Sequence, residues 1–245
     1  MTESARATRR RGPEHRVEQQ PAFVLHTTPW RETSLVVEVY SRDHGRLALA
    51  ARGAKRPTSQ FRGMLSPFCP LSVSWSGRGE VKTLVRAEWL GGMVPLRGES
   101  LLAGFYVNEL MVRLLPRDDA HERLFAAYVE VLRGLAQDEE RHDSLLRCFE
   151  LELLAQIGYG LALDEAEAGH DWVLRAGHLQ PLPRGADAGD SPVVSAATVQ
   201  ALAARDFRDA QAATQAKGVL RSLIRYHLGE RPLNTRRILQ DLKSL

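Results

Sequence analysis

The spacing of apolar residues changes period at Pro95, and no other feature limits the fold of this chain as much. Before that proline, apolar and polar residues alternate as they do in half-buried strands; after it, they recur at helical spacing. "SLVVEVYS" puts Leu35, Val37 and Val39 on one face. "RLALAA" points Leu47 and Leu49 inward behind the hairpin signal "SRDHG", and "LSVSWS" sets Leu71, Val73 and Trp75 against Ser72, Ser74 and Ser76. After the turn at Gly77–Gly79, "EVKTLVRAEWL" predicts Val81, Thr83, Val85, Ala87 and Trp89 on a shared face. Ahead of these, "AFVLH" reads as a short strand and "TTPWRET" as a turn containing Pro29. Five short strands within about 70 residues predict a small closed barrel, because closure removes exposed edges; the OB-fold is the five-stranded version.

Beyond Pro95, "ESLLAGFYVNELMVRLLP" is apolar nearly all round and predicts a helix buried on most sides, stopped by Pro116. "RDDAHERLFAAYVEVLRGLA" opens with Asp119 and Glu122 at capping-box spacing. A third helix, "SLLRCFELELLAQIGYG", ends at Gly158 or Gly160. Residues 162–192 are rich in Gly, Pro and Asp, and predict an irregular insert with a hairpin around "WVLRAGHLQPL". Two further helices follow, the first capped by Ser195, and then a short terminal segment, "NTRRILQDLKSL". The expected class is therefore α+β: a disordered basic tail over 1–20, an OB-fold barrel over 21–93, and an α-helical domain over 94–245 packed against it.

No apolar run approaches the roughly 18 residues of a spanning helix, and the arginine-rich start lacks the apolar core of a secretory signal. A cytoplasmic address is expected. Two cysteines, Cys69 and Cys148, supply neither a disulfide framework nor a four-thiolate zinc site, and read as packing residues. The charge is segmented: 15 basic against 8 acidic residues over 1–92, 9 against 18 over 93–192, and 9 against 4 over 193–245. Such a layout suggests segments facing different partners.

Catalytic signatures are missing. There is no phosphate loop with GK[ST], no G-x-G-x-x-G between strand and helix, no H-E-x-x-H, no G-x-S-x-G and no Cys–His nucleophile pattern. Asp118, Asp119 and Glu122 could be drawn as a metal-binding cluster, but fit a helix start better. His170 and His178 make at best half a metal site. A non-enzymatic chain without cofactor or metal is expected.

Binding fits better. "ARGAKRPTSQFRG" carries Arg52, Lys55, Arg56 and Arg62 on one connection, inside the stretch 44–79 that holds no acid. Like charges repel unless an anion comes to them. Arg31, beside Trp30 in the first turn, and Arg78 and Lys82 near the last hairpin add to that set. On the last long helix, Lys217, Arg221 and Arg225 repeat every four residues as a cationic stripe. Cations that follow phosphates and aromatic faces that stack bases are the means by which OB barrels hold nucleic acid. The competing readings are a protein-interaction adaptor whose cations meet acidic partners, and a nuclease, which the missing carboxylate cluster disfavours.

"AFVLHTTPWRETSLVVEVYSRDHGRLALAARGAKR", "LSPFCPL", "GRGEVKTL", "YVNEL" and "FELELLAQIGYGL" resemble, in order from about residue 22 to 240, the bacterial RecO family of recombination mediators, of the proteobacterial kind. The resemblance implies an OB-fold on a helical domain, single- and double-stranded DNA binding, strand annealing, and help in loading RecA during RecF-type gap repair. It implies two protein partners, RecR and the acidic C-terminal tail of single-strand-binding protein (SSB), and a bacterial, nucleoid-associated location. Many relatives carry a four-cysteine zinc module after the GYG; here "LALDEAEAGHDW" has no cysteine, and no zinc is expected. The SSB tail needs an apolar pocket beside a cation. Arg147, with Leu146, Leu151 and Leu154, is the candidate, against the alternative of an ion pair from Arg147 to Asp143 or Glu150.

Overall fold

The computed structural model describes residues 15–163, 170–183, 185–229, 232–235 and 237–238. Five strands close into a barrel in the order β1-β2-β3-β5-β4: β1 (Arg16–Trp30), β2 (Ser34–Ser41), β3 (Gly45–Ala51), β4 (Pro70–Ser76) and β5 (Val81–Trp89). All pairs are antiparallel except β3 with β5. This mixed five-stranded closure is the OB arrangement the alternation predicts.

β1 departs from expectation. It is a single 15-residue strand beginning at Arg16, so residues 16–20 belong to the barrel rather than to a tail. Its first half pairs with β4 and its second half with β2, and that double use closes the barrel. Bulges between Val17 and Gln20 and between Val24 and His26 bend it enough to serve both neighbours. Pro29 lies inside the strand, opposite Leu35, and not in a turn. It is tolerated because β4 pairs only as far as Phe23, leaving one edge of β1 without a ladder partner there. β5 also differs. A register shift opposite Ser74 and Trp75 reverses the facing part-way along the strand, so Leu84 and Ala87 are both buried and Val81 is exposed; Trp89, on the Ala87 side, is exposed because the strand ends there.

Val24, Val37, Val39, Leu47, Leu49, Leu71, Val73 and Trp75 fill the barrel. Phe23, Leu25 and Tyr40 point the other way, into the core of the helical domain. That core is built by α1 (Gly98–Leu114), α2 (Glu122–Gln137), α3 (His142–Gln156), α4 (Ala196–Ala204) and α5 (Ala210–Leu228). Gly158, at φ +85°, ends α3, and the Tyr159 N–H donates back to the Leu154 carbonyl at 2.8 Å. The insert forms β6 (Trp172–Arg175), β7 (His178–Pro181) and a two-residue β8 (Val193–Val194), with Ala176 and Gly177 at positive φ in the hairpin turn. Ser195 caps α4 through the Thr198 N–H as expected, and Asp209 caps α5.

Polar contacts fasten barrel to helices. The Asn108 side-chain amide donates to the Leu25 carbonyl at 2.9 Å and accepts from the Tyr128 hydroxyl at 2.6 Å, all of it buried. Glu38 accepts from Arg46 at 2.9 Å and from Arg117, and Arg46 also donates to the Leu115 carbonyl at 2.8 Å. Residues 115–121 are thereby held against the β2–β3 turn. The Asp119–Glu122 capping box does not form: α2 starts at Glu122 behind His121, without a side-chain cap. Asp118 instead binds Lys82, and Asp119 lies 3.3 Å from His121.

Candidate nucleic-acid interface

The β1–β2 turn and the β3–β4 connection meet at the end of the barrel, and local hydrogen bonds hold them together. The Lys55 N–H donates to the Thr33 carbonyl at 2.9 Å, and the Gly53 N–H to the Ser34 hydroxyl at 3.3 Å. Between them lies a cleft of about 550 Å³ walled by Trp30, Arg31, Glu32, Arg52 and Arg56. Arg31 takes φ +55°, an unusual conformation for a residue with a side chain, and its guanidinium carbon lies 4.4 Å from the centre of the Trp30 ring. Three of the expected cations thus converge beside one aromatic face, with Glu32 as the single carboxylate in the wall. Arg52, Lys55 and Arg56 have no ion-pair partner among the described residues, so apart from Glu32 in the wall their positive field is left to an incoming anion.

The other predicted cations divide. Arg62 folds onto its own loop, donating to the Pro57 carbonyl at 3.3 Å. Arg78 is exposed in the β4–β5 turn. Lys82 does not join the cleft: its amine is largely buried and lies 2.5 Å from Asp118, so it fastens β5 to the segment before α2. On α5, Lys217 pairs with Asp143 at 2.8 Å, and that ion pair holds the Asp143 carboxyl below its usual range. Arg221 and Arg225 stay exposed and unpaired among the described residues. The stripe of three is therefore a free pair.

Arg147 takes the alternative role. It is 6% exposed and makes two hydrogen bonds to Glu150, one of 2.7 Å from its Nε. Glu150 is buried as well and also accepts from the Tyr106 hydroxyl at 2.6 Å. Leu151 and Leu154 are buried in the core, so together these side chains line no open pocket for a tail. The i, i+3 spacing made the ion pair visible beforehand; the burial of both partners was not visible. An open groove does exist elsewhere, between α2 and α3, lined by Ala126, Val129, Leu145, Arg133 and Arg141, with Glu130 as its one carboxylate. Neither arginine there stood out in sequence, because each is one of many cations on an exposed helical face.

Residues 16–93 match the family model "Recombination protein O N terminal", and residues 96–237 match "Recombination protein O C terminal". The chain belongs to the RecO family. It is 50% identical over 239 residues to the DNA repair protein RecO of Azoarcus sp. (strain BH72), covering 94% of this chain and 98% of that protein. It is also 50% identical over 240 residues to that of Ralstonia nicotianae, covering 95% and 87%, and 46% identical over 250 residues to that of Paraburkholderia xenovorans, covering 100% and 83%. RecO proteins are non-enzymatic factors of DNA repair and recombination. The boundary between the two family models falls at the change of hydrophobic period. Among the described residues, no three His, Cys, Asp or Glu side chains come together as they would to hold a metal ion. Cys69 and Cys148 are free thiols raised by burial. No described helix is long and apolar enough to cross a membrane.

Proposed function

We propose that this RecO-family protein is a recombination mediator of RecF-type gap repair. It holds single- and double-stranded DNA, anneals complementary strands and assists RecA loading on SSB-coated DNA in the bacterial cytoplasm, at the nucleoid. The observation that carries this reading is the barrel-end cleft, where Arg31, Arg52 and Arg56 converge beside Trp30. Phosphates neutralise the cations and release counterions, and an unstacked base can lie on the indole. Lys55 and Arg62 extend the basic rim, whereas Arg78, in the β4–β5 turn on the Gly45 side of β3, lies at the other end of the barrel. RecR and the acidic SSB tail are the protein partners. The tail's site moves from Arg147 to the α2–α3 groove, where Arg133 and Arg141 flank an apolar floor of Ala126, Val129 and Leu145 and outnumber the one carboxylate, Glu130.

The test is a gel shift with bare oligonucleotide using the Lys55→Glu, Arg56→Glu double variant. Both side chains are exposed and unpaired, so folding should be unaffected. Single-strand affinity is expected to fall at least tenfold while the melting temperature is kept. An adaptor that meets only acidic proteins would show no shift at moderate salt with either protein.

A further inference from the structure

α5 spans 19 residues without one carboxylate, and the carboxylates of the neighbouring α3 are engaged elsewhere. Asp143 holds Lys217, Glu150 is buried against Arg147, and Glu152 accepts from Arg205 at 2.7 Å. Arg221 and Arg225 therefore face solvent with no anion of their own among the described residues. Directly after Arg225 comes Tyr226, 57% exposed, one of the most open aromatic rings among the described residues. It is not a loose ring. It lies so close to the β6–β7 turn that a Cβ on Gly177 would come within 2.4 Å of it, and it meets His227 edge-on at 5.3 Å. His227 in turn stacks on the half-exposed Tyr159 at 3.8 Å. Burial, and the nearby His178, push the His227 imidazole below its ordinary value, which favours the neutral ring at this stack.

We propose that Arg221, Arg225 and Tyr226, with Tyr159 beside them, form a second single-strand DNA contact on the helical domain. The two guanidiniums take phosphates, and the phenol ring, already fixed by the hairpin turn, takes an unstacked base with little further loss of freedom. A duplex offers the phosphates but keeps its bases stacked, and an acidic peptide would use the cations and leave the rings without a role. This contact lies apart from the cleft. The cleft is at the Ser34 end of β2, whereas the helical domain packs on the Tyr40 end, roughly 20 Å away at strand rise. The inference rests on the DNA-binding reading above and gives it a second site.

The test uses the full chain. Tyr226→Ala is expected to weaken binding of a single strand about fivefold or more and to leave an equal-length duplex unchanged, while Tyr226→Phe binds as wild type. A 5-iodouracil oligonucleotide irradiated on the wild-type protein is expected to crosslink to Tyr226 or Tyr159. The proposal is overturned if Tyr226→Ala keeps wild-type single-strand affinity, if it loses single strand and duplex equally, or if crosslinks fall only on the barrel. An Arg52→Ala, Arg56→Ala protein measured alongside separates the two sites. If that variant binds normally, the cleft reading fails, and the Tyr226 result is still read by itself.

Discussion

Arg147 and Glu109 show how much a side chain's meaning depends on its partners. Spacing alone offers Arg147 either a tail or an ion pair, and the acids near it in sequence give no sign of burial, yet it neutralises Glu150 inside the helical domain. Removing it leaves a carboxylate buried without its counter-charge. Arg147→Ala is expected to cost about 3–5 kcal/mol in denaturant unfolding, a loss that a mere tail-binding arginine would not produce. Glu109 on α1 receives the N–H groups of Asn234 and Thr235 at 2.7 and 2.9 Å and the Thr235 hydroxyl at 2.8 Å, tying residues 234–235 to the bundle. Burial works to raise this carboxyl, but those hydrogen bonds and Arg113 outweigh it and hold it below its ordinary value. A depressed carboxyl contributes its stability above the unfolded value and loses it as pH falls through the folded one. Amide exchange at Asn234 and Thr235 should therefore stay slow at neutral pH, after correction for intrinsic rate, and accelerate below about pH 4. In Glu109→Gln, protection should be reduced at neutral pH already.

At the scale of elements, alternation was readable wherever one face of a strand is core and the other is polar, as in β4. It failed for β1 because Phe23 and Leu25 are buried against helices while Val24 is buried in the barrel, so the strand has no polar face to reveal its period. It failed for β5 because one bulge inverts the facing, and no local residue type announces a bulge there. The start of α2 does not follow the capping-box spacing because a tertiary contact, not a cap, decides it. In that contact Gly45, at φ +68°, lies under residue 119, where a Cβ would come within 1.8 Å of the Asp119 carbonyl oxygen. Gly45→Ala adds a backbone collision to left-handed strain, and is expected to lower stability by more than about 2 kcal/mol in thermal unfolding. An alanine at the open Gly63 should cost less, since only the positive φ opposes it there.

The whole molecule divides its cations between binding and construction, and that division was the least legible feature. A basic cluster is visible in composition, but Lys82 is neutralised by Asp118 and Lys217 by Asp143, partners 36 and 74 residues away. Only folding shows which charges remain for a ligand. Of the residues left over, Arg31, Arg52, Lys55 and Arg56 gather at the barrel end, and on the proposed reading they hold DNA there through phosphate charge. The dependence of single-strand affinity on salt measures this most directly. Each neutralised phosphate contributes roughly −0.7 to the slope of log K against log salt, so wild-type protein should give about −2 or steeper. The Arg52→Ala, Arg56→Ala variant should be flatter by about 1.4. A wild-type slope near zero, or a variant slope equal to wild type, would contradict the account.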